Sequence, residues 1–599
     1  MLSPDQRAVA MELLRPPAGY RIDQIVLTSY SLDLDVLLSL PLAVLAHSDR
    51  GVDELLEDRM LVIEALREAG ERLHVFVDEG GIAIPHANRE LYTLLETCVH
   101  PVRAPGGGAF HPKVWLVRFV DEDQQPLIRV AVTSRNLTFD RSWDVALTSE
   151  AVPEARQIKE SRPLAELVRA VPGMAVRGIG SEVEDVVARL ADEVERVSFP
   201  AADGFKGGVN FEVMGLTGKA HAPWRPAQSG STLLAMAPFV NRTGLDALAA
   251  ASTAERILIS RPEELDDISE EALAAWQQVL VLSEAALDEP DDAGSRPADL
   301  HAKLIALEHN RQVTWHVGSA NLTAAALTGR NIEVMATVTG PRGNRGSGKG
   351  FGIHRFQESG FLNLCEPYRR TERPDEDEAL KAGKRMLDQA QEALLQAELR
   401  VQCQAEEDQW RWSLEGQLEV PAEVSASCWP VSLTEDNARP LILPCQWTLP
   451  IARLTAFVAF RLKVDADVDD LRLVLKLPVD GMPEGRIAHV LRTLIDSPEK
   501  FLKFLRALLG GLDGMVDWAE DQGAGAWQGE WAAGLGGETL LEDLVRAAAR
   551  EPERLEPVRR LIEDLRATPE GREIVPDDLF AVWQVVDDAV SGGGRSDNA

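Results

Sequence analysis

One pattern occurs twice in this chain of 599 residues, and it constrains the fold more than any other feature. A strand-like segment opens on His111-Pro112-Lys113, and a second opens on His301-Ala302-Lys303. Each is followed, after a turn, by a strand ending in Ser-x-Asn-Leu-Thr, at Ser134–Thr138 and at Ser319–Thr323. A carboxylate then follows in each copy, Asp144 in the first and Glu333 in the second. With 11 histidines in the chain and lysine making up 12 of its 62 basic residues, composition alone yields less than one His-x-Lys. Two ordered copies of the whole series imply two units with the same local fold.

The periodicity around the repeats fixes the class. Short β-branched runs such as RIDQIVLT at 21–28, LHVFV at 73–77 and LIRVAVT at 127–133 alternate with amphipathic helical stretches, among them 51–70, 155–171 and 180–195. Alternating strands and helices indicate α/β layers. The expected fold is therefore α/β: a first unit over 1–198 and a second over 199–370, packed as a pseudo-dimer. A linker helix over 371–405 follows, then a β-rich region over 406–482 with Trp410, Trp412, Trp429 and Trp447, a helical region over 483–590 and a loose tail over 591–599. The tryptophans are expected in a β core.

Charge narrows the partners. Asp plus Glu number 96 against 62 Lys plus Arg, a formal net charge of −34. Such a chain is repelled overall by nucleic acid and by anionic membranes, so any phosphate-bearing ligand needs a local basic site. The five cysteines are unpaired in sequence and form no CxxC, which fits free thiols in a reducing, cytoplasmic setting. No apolar run reads as a secretion signal or a membrane span, so stable membrane association is not expected. The Ala-, Leu- and Arg-rich composition fits a bacterial origin.

In an extended segment, residues i and i+2 share a face, so each His-x-Lys presents an imidazole beside an ammonium. The Ser-x-Asn turns stand where a strand gives way to a helix, a place for a cap and for N–H groups facing a phosphate. These residues resemble the phospholipase D superfamily, whose signature is a duplicated His-x-Lys, then Asn, then an acid. The common form also carries an Asp five residues after the lysine. Here those positions hold Arg118 and Glu308. In that respect the pattern is closer to tyrosyl-DNA phosphodiesterase-like and bacterial phospholipase D-like nucleases, some of which stand in phage-defence clusters. The resemblance covers about 20–365 and does not reach 400–599.

The resemblance implies an α/β/α sandwich for each unit, one composite site between them, and phosphodiester chemistry with no cofactor and no metal. Lys113, Lys303, Asn136 and Asn321 would hold the non-bridging oxygens, with Ser134 and Ser319 as further donors to substrate. One histidine would attack phosphorus and the other would serve as acid and base, with Asp144 and Glu333 orienting the imidazoles. By that likeness His111 is the nucleophile and His301 the acid/base. Nucleic acid, DNA or RNA, is the expected substrate, and the C-terminal region is the place for a defence-system protein partner. The competing expectations are an inactive nucleic-acid-binding or assembly subunit and a phospholipid phosphodiesterase. The oligomeric state is left open.

Two further segments carry expectations. The run 343–350, GNRGSGKG, has the spacing of a phosphate loop, but Gly350 stands where Ser or Thr would bind magnesium. Its basic residues Arg342, Arg345 and Lys349 follow the Glu333 strand and are expected to face substrate. Gly106-Gly107-Gly108, just ahead of His111, reads as a turn or a place of close backbone approach.

Overall fold

The computed structural model describes residues 10–45, 72–86, 90–138, 142–283, 299–347, 349–358, 361–371 and 378–484, with scattered positions between 486 and 585. The expected helix at 51–70, most of the helical region over 483–590 and the tail at 591–599 lie outside the described residues.

The first unit is built on strands β1 (Arg21–Ser29), β2 (Leu73–Asp78), β3 (Val99–Val102), β4 (Val114–Val120), β5 (Pro126–Thr133), the two-residue β6 (Ser142–Trp143) and β7 (Ala146–Ala151). Its six-stranded sheet runs β3-β2-β1-β4-β5-β7. The second unit contains β8 (Lys206–Met214), β9 (Gly230–Met236), β10 (Ser252–Ile259), β11 (Gln278–Leu282), β12 (Asp299–Leu300), β13 (Leu304–His309), β14 (Gln312–Gly318), β15 (Glu333–Pro341) and β16 (Cys365–Pro367). Its eight-stranded sheet runs β16-β11-β10-β9-β13-β14-β15-β8. Stripped of β16 and β8 at its edges, the second order repeats the first. In each sheet three parallel strands continue into three antiparallel ones.

Strand parity divides the apolar side chains between layers. On β4, Val114 and Leu116 enter a core that both sheets share, along with Leu234, Leu304, Val317 and Val334 of the second unit. The helices Arg162–Ala170 and Ser181–Val194 add Leu164, Val168, Val187 and Leu190 to that core. The opposite parity, Trp115, Val117 and Phe119, belongs to a second core that includes Leu34, Leu37 and Leu38 of the helix Leu34–Leu45 and extends into the C-terminal region. The second sheet closes its other face with Leu233, Ala235 and Ile305 against the helix Arg242–Ala249.

That C-terminal region starts earlier than its sequence suggests. The linker helix is Glu378–Gln396, and residues 400–405, expected in the linker, belong to a strand. Two four-stranded sheets follow. One is β21-β18-β17-β24, from β17 (Arg400–Glu406), β18 (Gln409–Glu415), β21 (Cys445–Leu449) and β24 (Val479–Asp480). The other is β20-β19-β22-β23, from β19 (Val424–Pro430), β20 (Arg439–Pro440), β22 (Phe457–Val464) and β23 (Leu471–Lys476). Trp412, Trp429 and Trp447 are buried, and Trp412 donates its indole N–H to the Thr455 carbonyl at 2.9 Å. Truncating such a side chain to alanine costs about 3–5 kcal/mol.

This region packs on the first sheet as one continuous core. Val474 N–H donates to the Ile82 carbonyl at 2.9 Å, Lys476 Nζ to the Val99 carbonyl at 2.8 Å, and Arg486 pairs with Glu96 at 2.8 Å. The β-rich region therefore meets the first unit at Ile82, Glu96 and Val99, beside β2 and β3. Among the described residues no helix is long and apolar enough to cross a membrane.

Candidate active site

The two His-x-Lys segments lie just ahead of β4 and β13, extended but outside the sheet ladders. Lys113 and Lys303 are fully buried, and each ammonium folds back onto the carbonyl of its own histidine, at 3.1 Å in the first copy and 2.8 Å in the second. The histidines retain a small opening, with side chains 11% exposed in both copies.

The units exchange their carboxylates. His111 Nδ1 lies 2.8 Å from Glu333 Oε2, and His301 Nδ1 lies 2.9 Å from Asp144 Oδ1. Each histidine is thus served by the acid of the other copy. The backbone makes the same exchange. His111 N–H donates to the Ile332 carbonyl and His301 N–H to the Trp143 carbonyl, both at 3.0 Å. Each carbonyl belongs to the residue just before the carboxylate. Parallel pairings of Phe110 with Ile332 and of Leu300 with Trp143 hold the two crossings in register.

Gly108 permits the first crossing. A Cβ there would fall 1.9 Å from the Arg330 carbonyl oxygen. The close approach expected of the glycine run is therefore to the second unit's own backbone, not to a ligand. Asn331 adds a brace by accepting from Ala109 N–H at 3.1 Å.

With Nδ1–H donated to a carboxylate, each imidazole keeps Nε2 as a free lone pair. Burial pushes His111 down to about 4, against the upward pull of Glu333. Burial likewise lowers His301, opposed by its bond to Asp144. For Asp144 burial alone is upward, but the bonds from His301 and Ser134 and the charge of Lys303 bring it below the ordinary carboxylate value. Lys113 is pushed down to about 7 by burial. Lys303 falls well below its ordinary value through burial first and the charge of Lys113 second. Lys303 also acts on His111 and Lys113 on His301, so the four groups form one electrostatic cluster. An anion placed among them would raise all four, because it favours the protonated forms.

Asn136 and Asn321 follow β5 and β14 by three residues, two positions after the serines that hold Asp144 and Glu333. Both carboxamide oxygens are buried, with no hydrogen-bond partner among the described residues. Ser134 and Ser319 do not serve as expected. Their hydroxyls donate to Asp144 at 2.7 Å and to Glu333 at 2.5 Å, and accept from Val145 N–H and Val334 N–H. A hydroxyl has one proton to give, and here it positions the carboxylate rather than a substrate oxygen. The helix cap also differs. Thr323, not Ser319 or Asn321, caps a single turn at Ala324–Leu327.

Arg342, Arg345 and Lys349 stand apart from the site. Glu333 opens β15 opposite Met214 of β8, and Pro341 closes it opposite Gln312 of β14. Eight rises of about 3.3 Å from Glu333 to Pro341 put this loop roughly 26 Å from Glu333. Arg342 faces Glu308 at 3.8 Å, and Glu308 accepts from Ile353 N–H at the start of the helix Ile353–Glu358. Arg118, the corresponding residue in the first copy, pairs with Glu193 at 2.7 Å and Asp23 at 2.6 Å. The positions that hold Asp in the common signature are thus distal and structural here. The segment 343–350 is exposed loop for most of its length, though Gly346 N–H donates to Glu358 at 3.0 Å.

Two nearby residues escaped sequence reasoning. Tyr30, just past β1, is 37% exposed and packs its ring 5.1 Å from that of His111. Asp78, at the end of β2, accepts from Phe110 N–H at 2.8 Å and is raised to about 6 by burial. Neither belongs to the repeat. Their one signal was a polar or aromatic residue at the carboxyl end of a parallel strand, where α/β sheets form their sites. Trp115, which shares the parity of His111 and Lys113, is core.

No family model matches the chain, and no curated protein does. Solved structures give looser likenesses. Yeast tyrosyl-DNA phosphodiesterase is 11% identical over 55% of this chain and 85% of its own, with a TM-score of 0.32. A mutant of that enzyme with asparagine in place of one histidine is 13% identical over 53% and 84%, at 0.33. A mutant with arginine in place of the same histidine is 10% identical over 53% and 82%, at 0.34. At this level of likeness, the chemistry open to the site rests on the crossed His–carboxylate pairs and the two buried lysines.

Proposed function

We propose that this chain is a metal-independent phosphodiesterase that acts on nucleic acid through a covalent phosphohistidine. The observation that carries the reading is the reciprocal pairing of His111 with Glu333 and His301 with Asp144 around two buried lysines. A phosphodiester is a poor electrophile until its charge is met. In this reading Lys113, Lys303, Asn136 and Asn321 supply donors for the non-bridging oxygens and stabilise the five-coordinate transition state.

In the first step the Nε2 lone pair of His111 attacks phosphorus, forming a P–N bond as the P–O bond to the leaving group breaks. His301, protonated once the anion is bound, gives its Nε2 proton to the departing oxygen. Glu333 stabilises the positive charge that develops on His111, and Asp144 does the same for His301 before it gives up its proton. In the second step neutral His301 takes a proton from water. The oxygen bonds to phosphorus, the P–N bond breaks, and His111 returns to its resting tautomer. The assignment of His111 as nucleophile follows the family resemblance, as does any role in phage defence.

The test is hydrolysis of labelled single-stranded DNA, duplex DNA and RNA in EDTA, with His111→Ala and His301→Ala as comparators. Cleavage that survives EDTA and is lost in both variants supports the reading. Cleavage abolished by EDTA and restored by a divalent ion would overturn the mechanism.

A further inference from the structure

The two halves of the site match in their histidines, lysines and acids but not in their surroundings. Arg135 fills the middle of the first Ser-x-Asn turn, 38% exposed, with its guanidinium 3.6 Å from Asp144. The same place in the second copy is Ala320, which is buried. Asp144 serves His301, so Arg135 lies on the His301 side. Arg261, just past β10, donates to the Leu300 carbonyl at 2.9 Å, immediately before His301. Its guanidinium lies 5.0 Å from the ring centroid of Phe239, and its charge reaches Lys303.

Around His301, then, stand Arg135, Arg261 and Lys303 with the carboxylates Asp144 and Asp299. Asp299 pairs with Arg261 at 2.8 Å but is itself 52% exposed. Around His111 stand Lys113, Glu333 and Asp78, with the ring of Tyr30 over the mouth. Cations outnumber carboxylates on the first side and are outnumbered on the second. Phe239 is 39% exposed and Tyr30 37%, so an apolar ring faces outward on each side.

We propose that Arg135 and Arg261, with the ring of Phe239, form a second anion subsite beside His301 that holds a phosphate neighbouring the one under attack. The inference rests on the phosphodiesterase reading and narrows it to substrates with more than one phosphate. A nucleic-acid strand supplies that neighbour at every linkage, and guanidinium pairs with phosphate through charge-assisted hydrogen bonds. A diester with a single phosphate leaves the subsite unused. The His111 side, poor in positive charge, suits an uncharged planar group against Tyr30.

The test compares the 4-nitrophenyl ester of thymidine 3′-phosphate with the same ester carrying a 5′-phosphate, on the full chain. The expected KM is roughly tenfold lower for the 5′-phosphorylated ester, the scale of one charge-assisted contact. Arg135→Ala, which copies the residue at the matching position of the second unit, should bring that KM ratio close to one. Arg261→Gln should do the same, and Arg261→Lys, which keeps the charge and guards against loss of the Leu300 contact, should restore part of it. Arg345→Gln, in the distal loop, should keep the full ratio. Turnover of both esters with equal KM in the unaltered protein, or a ratio that survives both arginine replacements, would overturn the subsite alone. Turnover of neither ester would overturn the phosphodiesterase reading and the subsite with it.

Discussion

His111 donates Nδ1–H across the unit boundary to Glu333, 222 residues further along the chain and 2.8 Å away in space. The histidine of one copy thus takes its tautomer from the acid of the other. Asp144 repeats the relationship toward His301 in the opposite sense. Neither His-x-Lys histidine takes its carboxylate from its own unit.

This crossing predicts how the acids fail. Glu333→Gln should behave as a lesion of His111, slowing formation of the phosphohistidine by roughly 10²–10⁴. Asp144→Asn should behave as a lesion of His301, leaving formation from an activated ester largely intact and slowing release. Rapid-quench measurement of adduct formation separates the two. The opposite assignment of the two defects would exchange the roles of the histidines.

His301→Ala keeps the nucleophile and removes the proton donor. A nitrophenyl ester, whose leaving group needs no proton, should still phosphorylate His111, and turnover should then stall. The expected signature is a burst of about one product per enzyme with an acid-labile phosphate at residue 111. His111→Ala should show no burst. Peptide mapping of the trapped phosphate reads the outcome directly.

The lysines give opposite pH trends for ligand binding and for stability. Lys113 in the fold sits at about 7, below the ordinary 10.5. Binding of vanadate or inorganic phosphate needs the ammonium form, so affinity should fall as pH rises through about 7, with proton uptake on binding near and above that value. Between about 7 and 10.5 the unfolded chain holds this proton and the folded chain does not. The Lys113 contribution to stability therefore rises with pH across that window. Calorimetric titration at pH 6 and 8.5, and denaturant titration over the same range, check the two signs. Affinity that is flat through pH 7 would remove Lys113 from oxyanion binding.

The distal loop should be silent. Replacing Arg342, Arg345 and Lys349 together by glutamine should leave oligonucleotide affinity, and its salt dependence, unchanged within error. A phosphate contact at any one of them would lower the slope of log K against log salt by about 0.7–0.9. Fluorescence anisotropy at two salt concentrations decides this.

The amino-acid sequence by itself determined the local parts of this protein. Period-two runs placed β1, β2, β5 and β14, because alternation of apolar side chains is a property of the strand itself. The duplicated His-x-Lys, Ser-x-Asn and trailing acid named the residues that meet, since each copy is a short segment whose spacing is visible locally. What remained hidden was which copy's acid serves which histidine, a contact across 222 residues in one direction and 157 in the other. Hidden too were Tyr30, which meets His111, and Asp78, which holds Phe110 N–H, both brought there because β1 pairs with β4 on one side and with β2 on the other. The misplaced loop at Arg342 shows the same limit from the other side. Nine residues separate it from Glu333, close in sequence, yet an extended strand carries them to opposite ends of the sheet. Sequence order measures separation along the chain, whereas a site is assembled by strand pairing and by the packing of two cores against each other, and only the tertiary structure decided those.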